Sequence, residues 1–295
     1  MTAIDTKIAA LMDGLGAHAR AAAAELARSS EAQRYDALQG AAGQILASQD
    51  VILSANATDM QAARDKGVQG SMLDRLLLDE GRIFGMAVSL REVAVLPDPV
   101  GRVIEERSRP SGLKLTKVAS PIGVIVIIYE SRPNVTADAA GLCFKSGNAT
   151  ILRGGKEAIH SNQIIAKIMV EAAAGALPVF PVDTIQVVPT TDRGAIPELL
   201  SLTRFVDLCI PRGGESLIRA VTECSHVPVI KHYKGVCHVY IDADANAAMA
   251  EEIVFNSKVH RPGVCNAAET LLVDTSVATD MLPRLAKRLA KANVE

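Results

Sequence analysis

Between residues 122 and 255 the sequence alternates between short apolar runs and longer amphipathic stretches. Ile122–Ile128 consists of β-branched residues broken only by Gly123, a pattern typical of a strand buried on both faces. Further strands are predicted at 149–152, 185–188, 206–210, 227–230 and 238–241, with helices at 135–145, 157–174, 193–200, 216–223 and 245–255. This alternation predicts an α/β fold with a Rossmann-like, mostly parallel sheet and helices on both faces.

The segments on either side of this region have a different character. The first hundred residues are predicted to be helical, at 5–28, 31–48, 56–66 and 71–93. Apolar and polar residues then alternate across 101–119 around the turn sequence Arg109–Gly112, which predicts a β-hairpin. After residue 265 the pattern predicts a strand at 267–273 and a helix at 282–292.

Charge and cysteine content exclude several classes of function. A formal net charge of −2 gives no general attraction to nucleic acid or membranes. The longest apolar run, Ile122–Tyr129, is too short to span a bilayer, and the N-terminus lacks the apolar core of a secretory signal. The five cysteines contain no CxxC pair, so neither a disulfide framework nor a metal site is expected, and a cytoplasmic location fits best.

One cysteine has a context that suits a nucleophile. The segment Arg261–Gly263 argues against regular structure just before Cys265, and a strand is predicted directly after it. A cysteine held in such a turn can use its own backbone N–H to bind an oxyanion, and the nearby Lys258 and His260 would favour the thiolate. The alternative is a buried, inert cysteine, which residue type alone does not exclude.

Two Gly-Gly turns follow predicted strands and open predicted helices. They are Arg153-Gly154-Gly155-Lys156 and Pro211-Arg212-Gly213-Gly214. Glycines here let backbone approach a ligand, and a helix N-terminus favours anions, so the pair suggests a phosphate-bearing cofactor across the strand ends. The GxGxxG fingerprint is absent, and either turn taken alone is also compatible with a purely structural role.

Polar residues also follow the most apolar strand. The segment Tyr129–Asn134 lies at its predicted carboxyl end, where ligands bind in sheets of this type. The alternative is that Ser131 or Asn134 caps the next helix.

Three stretches together resemble a known family: FNSKVHRPGVCNAAETLLV, ASPIGVIVIIYESRPNVTADAAGLCFKSGNATILRGGKEA, and IPRGGESLI followed by VIKHYKGVCHVYID. They closely resemble the γ-glutamyl phosphate reductases, a branch of the aldehyde dehydrogenase superfamily. The resemblance implies reduction of L-glutamyl 5-phosphate by NADPH to L-glutamate 5-semialdehyde and phosphate, in proline biosynthesis. It also implies that Cys265 forms a thioester with the substrate and that Asn134 helps to stabilise the oxyanion.

The resemblance and the turns together give the remaining site residues. The expected cofactor-binding residues are Arg153, Gly154, Gly155, Lys156, Arg212, Gly213 and Gly214. The expected substrate-binding residues are Ser131, Arg132, His260, Arg261 and Asn266.

Two departures from the wider superfamily have a chemical meaning. Hydrolytic members carry a water-activating glutamate in a segment that matches 230–235, where this chain has no carboxylate. An enzyme whose thioester is reduced needs no such base, so the absence favours phosphate-dependent chemistry and leaves the acid/base group unidentified. NAD-preferring relatives often carry an acid at the position of Lys156; Arg153 and Lys156 instead suit a 2′-phosphate and predict NADPH.

The resemblance also implies a domain arrangement. Residues 1–253 are expected to form the NADP-binding domain, with 101–120 as an oligomerisation arm, and 254–295 the start of a catalytic domain. The family is longer than this chain, so the catalytic domain is expected to be truncated, and a homo-oligomer is expected for the full-length protein. Contact with glutamate 5-kinase, the upstream enzyme, stays open. The rival hypotheses are a CoA-acylating aldehyde dehydrogenase and a catalytically inactive nucleotide-binding protein.

Overall fold

The computed structural model describes residues 3–176, 181–233, 235–262 and 264–294. The chain forms two compact units, one up to Lys231 and the other from His232 onward, and each is described by itself. The helices are α1 (Ala3–Leu26), α2 (Glu31–Ala47), α3 (Gln49–Asp65), α4 (Ser71–Leu76), α5 (Glu80–Val95), α6 (Asn134–Lys145), α7 (Ile159–Ala176), α8 (Ala195–Ser201), α9 (Glu215–Cys224), α10 (Ala247–Val259) and α11 (Thr275–Lys291). The strands are β1 (Val103–Ser108), β2 (Lys114–Val118), β3 (Val124–Tyr129), β4 (Ala149–Arg153), β5 (Ile185–Val187), β6 (Leu208–Arg212), β7 (Cys237–Ile241) and β8 (Ala268–Val273).

The first unit is built on a four-stranded parallel sheet in the order β5-β4-β3-β6. Alternate residues of β3 enter two different hydrophobic clusters, because successive side chains of a strand point to opposite faces. Ile125 and Ile127 pack with residues of α2, α5, α6 and α7, whereas Val124 and Val126 pack with residues of α1, α8 and α9. The predicted α/β fold, with a parallel sheet covered on both faces, is confirmed.

The N-terminal helices are as expected, with two corrections. The helix predicted at 56–66 begins earlier, at Gln49. The predicted helix at 71–93 is two helices, α4 and α5, because Asp79 caps a new start: its carboxylate accepts a 2.7 Å hydrogen bond from the backbone N–H of Arg82.

The predicted hairpin is present as the antiparallel pair β1–β2. Every residue in both strands is exposed, including Val103, Ile104, Leu115 and Val118. Within the described residues, these two strands pair only with each other.

The second unit has its own small sheet, in which β7 and β8 are parallel, and its own core. The sequence assigned 238–241 to the main sheet, but β7 pairs with β8 instead. The predicted strand at 227–230 forms a single bridge, between Val229 and Cys209. The expected domain boundary at 253 falls inside α10, where Val254 packs with Ile241 of β7, so the structure divides the chain earlier, after Lys231.

Candidate active site

A cavity of about 710 Å³ opens at the carboxyl ends of β3 and β4 in the first unit. Its walls come from the residues that follow these strands and from residues of α4, α8 and α9. The cavity includes Ser131, Arg132 and the whole turn from Arg153 to Lys156, which the sequence assigned to binding. Polar groups at the ends of β3 and β4 therefore converge on one cavity, as expected for a parallel sheet, whereas Arg212, Gly213 and Gly214 after β6 are not part of its lining.

The glycines of the first turn are packed against the protein itself. A Cβ atom added to Gly154 would lie 2.2 Å from Nδ2 of Asn162 and 3.0 Å from the ring of Tyr129. A Cβ atom added to Gly155 would lie 2.1 Å from Oγ of Ser131. The sequence predicted that a ligand would approach these glycines, but side chains of the protein occupy that space. Both glycines therefore allow the turn to pack closely on the end of β3.

A buried polar chain supports this packing. The Tyr129 hydroxyl lies 2.7 Å from Oγ1 of Thr136, and that hydroxyl donates to Oδ1 of Asn162 at 3.0 Å. Burial raises the pKa of Tyr129 well above its usual value, so its hydroxyl stays protonated. The chain links β3, α6 and α7 directly beneath the first turn and fixes its position.

The two cations of the first turn occupy different environments. Arg153 is 8% exposed, and its guanidinium donates to the carbonyl oxygens of Gly154 and Thr191. Burial lowers the pKa of Arg153, while the charges of Tyr129 and Glu157 raise it. Within the described residues, Nε of Arg153 has no hydrogen-bond partner. Lys156 is exposed in the cavity wall. Arg153 thus holds the turn together, and Lys156 offers its charge to a ligand.

The second turn holds a carboxylate of its own chain. Oε1 of Glu130 accepts a 2.8 Å hydrogen bond from the backbone N–H of Gly214, at the start of α9. A Cβ atom on Gly213 would lie 2.9 Å from that carboxylate. Glu130 therefore occupies the anion-favouring N-terminus of this helix. The sequence offered Glu130 only as one polar residue after β3, since nothing local shows that its partner is 84 positions away.

The remaining residues after β3 have distinct partners. Oγ of Ser131 donates to the Glu157 carboxylate at 2.6 Å, and Arg132 is exposed in the cavity. Asn134 is the first residue of α6, and its Nδ2 donates to Asp138 at 3.3 Å. The cap position of α6 is Pro133, with no side-chain cap hydrogen bond, so the alternative that Ser131 or Asn134 caps this helix is wrong.

In the second unit, Cys265 lies in an exposed turn between α10 and β8. Among the five cysteines, all of which lie within the described residues, Cys265 alone is exposed. Burial raises the pKa of Cys143 to about 11 and that of Cys209 to about 12, which keeps both as unreactive thiols. The alternative of a buried Cys265 is therefore wrong.

The segment before β7 packs against this turn. Sγ of Cys237 lies 3.6 Å from the carbonyl oxygen of Cys265, and a Cβ atom on Gly235 would lie 2.8 Å from the same oxygen. Gly235 thus lies directly beside the cysteine.

The positively charged neighbours of Cys265 differ in their availability. Nζ of Lys258 lies 3.4 Å from the Glu269 carboxylate and is partly neutralised by it. His260, Arg261 and Asn266 are exposed around the same turn.

Residues 4–295 match the aldehyde dehydrogenase family. The chain belongs to the aldehyde dehydrogenase family. Within it, the γ-glutamyl phosphate reductase of Opitutus terrae is 52% identical over 286 residues, which cover 97% of this chain and 67% of that protein. That of Salinibacter ruber is 50% identical, covering 99% and 66%. The resemblance inferred from the sequence is confirmed.

A solved structure agrees with these relatives. The crystal structure of γ-glutamyl phosphate reductase from Thermotoga maritima matches with a TM-score of 0.89 and 38% identity, over 96% of this chain and 68% of that one. This aldehyde dehydrogenase family member therefore spans about two thirds of the length of its relatives. Within the part of the chain that the structure describes, no helix has the length and apolar character to cross a bilayer, and no group of three or more side chains is placed to hold a metal ion.

Proposed function

We propose that this chain carries the nucleotide-binding unit and the nucleophile of an NADPH-dependent reductase that converts L-glutamyl 5-phosphate to L-glutamate 5-semialdehyde and phosphate. Its relatives at 50–52% identity are γ-glutamyl phosphate reductases. The observation that carries the proposal is the exposed Cys265 turn, against which a segment without Asp or Glu is packed.

The chemistry follows from these groups. The Cys265 thiolate attacks the acyl carbon, the phosphate leaves with its bonding electron pair, and a thioester forms. NADPH, when bound, supplies the hydride that reduces the acyl group to the aldehyde level, after which the carbon–sulfur bond breaks and the thiolate returns. Because the adjacent segment carries no carboxylate, no Asp or Glu there activates water against the thioester. Asn134 is our proposed oxyanion donor.

The cavity of the first unit fits a dinucleotide. Its lining includes Ile196 and Pro197 of α8 and Leu217 and Ala220 of α9, and such apolar side chains suit an adenine ring. Lys156 adds an exposed cation at the end of β4, where dinucleotide-binding folds contact the adenosine ribose. Arg153 stabilises the same turn through its hydrogen bonds to the carbonyl oxygens of Gly154 and Thr191.

The second turn has a separate role in this proposal. The backbone N–H groups of Gly213 and Gly214, with Arg212, would bind the pyrophosphate at the start of α9 in place of the Glu130 carboxylate, which accepts from the Gly214 N–H in this structure.

The exposed hairpin supports assembly of the full-length protein. Val103, Ile104, Leu115 and Val118 lie on a two-stranded ribbon whose residues are all exposed. Such a ribbon leaves unpaired edges that a second copy of the chain can cover. We propose a homo-oligomer on this basis. A cytoplasmic location and contact with glutamate 5-kinase stay predictions.

The test combines binding with turnover. NADPH binding is measured by fluorescence, and phosphate-dependent NADP⁺ reduction with glutamate semialdehyde is measured on this chain beside Cys265→Ala. Iodoacetamide labelling, with mass spectrometry of each cysteine peptide, should modify Cys265 long before Cys143 or Cys209, because the latter two are buried with raised pKa values.

The outcomes separate the alternatives. Phosphate-dependent turnover that Cys265→Ala abolishes supports the proposal. Strict dependence on coenzyme A would show the acylating type of reaction instead. NADPH binding without turnover would favour a nucleotide-binding protein without catalysis.

A further inference from the structure

The short helix α4 contributes an arginine to the dinucleotide cavity. Met72 and Arg75 of this helix line the cavity together with residues of α8 and α9, although they belong to the N-terminal helical region, in which the sequence indicated no site. Arg75 is exposed and, within the described residues, forms no ion pair. The next arginine, Arg82, is held by Asp74 and by the carbonyl oxygen of Leu77.

Apolar packing fixes α4 beside the first Gly-Gly turn. Leu76 is 1% exposed and shares a small hydrophobic cluster with Ala158, which is fully buried. Arg75 directly precedes Leu76, and Lys156 lies two residues before Ala158. The cluster therefore holds together the two segments that carry Arg75 and Lys156, and both residues line the cavity.

A buried polar cluster fixes the same helix from below. Asn56 donates to the carbonyl oxygen of Leu76 at 2.9 Å and accepts from the backbone N–H of Leu78 at 2.8 Å, so it holds the C-terminal end of α4. Its Nδ2 also lies 3.1 Å from Oγ of Ser161 near the start of α7. Asp59, 2% exposed, accepts from the backbone N–H and the hydroxyl of Ser161 at 2.8 and 2.7 Å.

Such a cluster is costly to bury and is stable only when all of its groups are paired. The result is a rigid support that ties α3 and α4 to the helix following the first turn. Arg75 is thus presented from an anchored element, which reduces the entropy lost when it binds a ligand.

We infer that Arg75 is a cofactor-binding residue which, together with Lys156, binds the 2′-phosphate of NADPH. The inference rests on the proposed function. The end of β4 is where folds of this kind contact the adenosine ribose, and a phosphate dianion there is matched by two cations. Arg153 does not supply the second cation, because its guanidinium is buried and engaged with two carbonyl oxygens.

The test compares two ligands on three proteins. Adenosine 2′,5′-bisphosphate and adenosine 5′-diphosphate differ in the position of one phosphate, and their binding to the wild-type chain, Arg75→Ala and Arg91→Ala is measured by calorimetry. Arg91 is an exposed residue of α5 that is not part of the cavity lining, so its variant is the matched control. Thermal unfolding of each variant checks that the fold is retained.

We expect Arg75→Ala to weaken binding of the 2′,5′-bisphosphate by about 10-fold to 100-fold, as for loss of a charge-assisted hydrogen bond. Binding of the 5′-diphosphate should change by less than about twofold, and Arg75→Lys should recover part of the loss. Equal weakening of both ligands would assign Arg75 to the adenosine or the 5′-phosphate that they share and overturn the inference, as would no change in either. If the wild-type chain binds neither ligand nor NADPH, the proposed function fails as well.

Discussion

The two Gly-Gly turns of this chain are alike in sequence and differ in what surrounds them. At the first turn, Asn162, Tyr129 and Ser131 lie within 3.0 Å of the positions that Cβ atoms on its glycines would occupy. At the second, a Cβ on Gly213 would lie 2.8 Å from Cδ2 of Leu217 and 2.9 Å from Glu130, whereas the nearest atom to a Cβ on Gly214 is a Glu130 carboxylate oxygen at 3.5 Å, which is ordinary contact. Packing is therefore tight around both glycines of the first turn but around only one glycine of the second. The second turn is also held by the hydrogen bond from the Gly214 N–H to Glu130.

The largest contrast is expected from adding a methyl group to each turn. Gly154→Ala should lower the free energy of unfolding by about 3 kcal/mol, because the new Cβ atom collides with Asn162 and Tyr129 in a close-packed region. Gly214→Ala should lower it by less than about 1 kcal/mol. Urea unfolding followed by circular dichroism measures both. Equal effects of the two substitutions would break the comparison.

Replacing the arginine should likewise cost more stability at the first turn than at the second. Arg153→Met removes a buried guanidinium and leaves the carbonyl oxygens of Gly154 and Thr191 without their donor, at a cost of about 2 kcal/mol. Arg212 is exposed, and Arg212→Met should cost less than about 0.5 kcal/mol. The same unfolding experiment applies, and a large effect of Arg212→Met would show that the second turn is also structural.

A smaller loss of stability is expected from removing the hydroxyl of Ser131, which links the end of β3 to the first turn. Ser131→Ala deletes the 2.6 Å hydrogen bond to Glu157 and should cost about 1 kcal/mol. The double variant with Glu157→Gln gives the coupling energy between the two side chains. Additive single effects would show that this bond contributes nothing.

The smallest effect on stability is expected at Glu130. Glu130→Gln keeps an oxygen acceptor for the Gly214 N–H but removes the negative charge from the start of α9, at a cost of about 0.5 kcal/mol. Because the carboxylate occupies the position proposed for the pyrophosphate, the same variant should bind NADPH about two- to threefold more tightly. Weaker NADPH binding would show that Glu130 assists the ligand rather than competing with it.

Local patterns predicted the helices and strands well, because a strand that is buried on both faces is recognisable as a continuous apolar run, such as Ile122–Ile128. They did not predict which strands pair. The short run at 238–241 resembles a strand of the main sheet, and only its pairing with β8 places it in the second unit. Buried polar residues were also missed, since Asn56 and Asp59 lie on a helix where polar side chains ordinarily face solvent.

Within the site, the sequence predicted where polar groups gather but not their individual partners. The position of Arg153 at a strand end was foreseeable, whereas its burial depends on Thr191, 38 residues further along the chain. Glu130 and Arg75 depend on contacts of the same non-local kind. Long-range partners are set by packing of the whole unit, which single-sequence patterns do not encode.

The strand order β5-β4-β3-β6 has a consequence for synthesis of the chain. The first three strands of this sheet to leave the ribosome extend it in one direction from β3, and β6 then adds on the opposite side. The cavity between α8 and α9 is therefore completed only when residues 208–224 have emerged. During translation, we expect nascent chains to acquire their sheet core first and their affinity for nucleotide last.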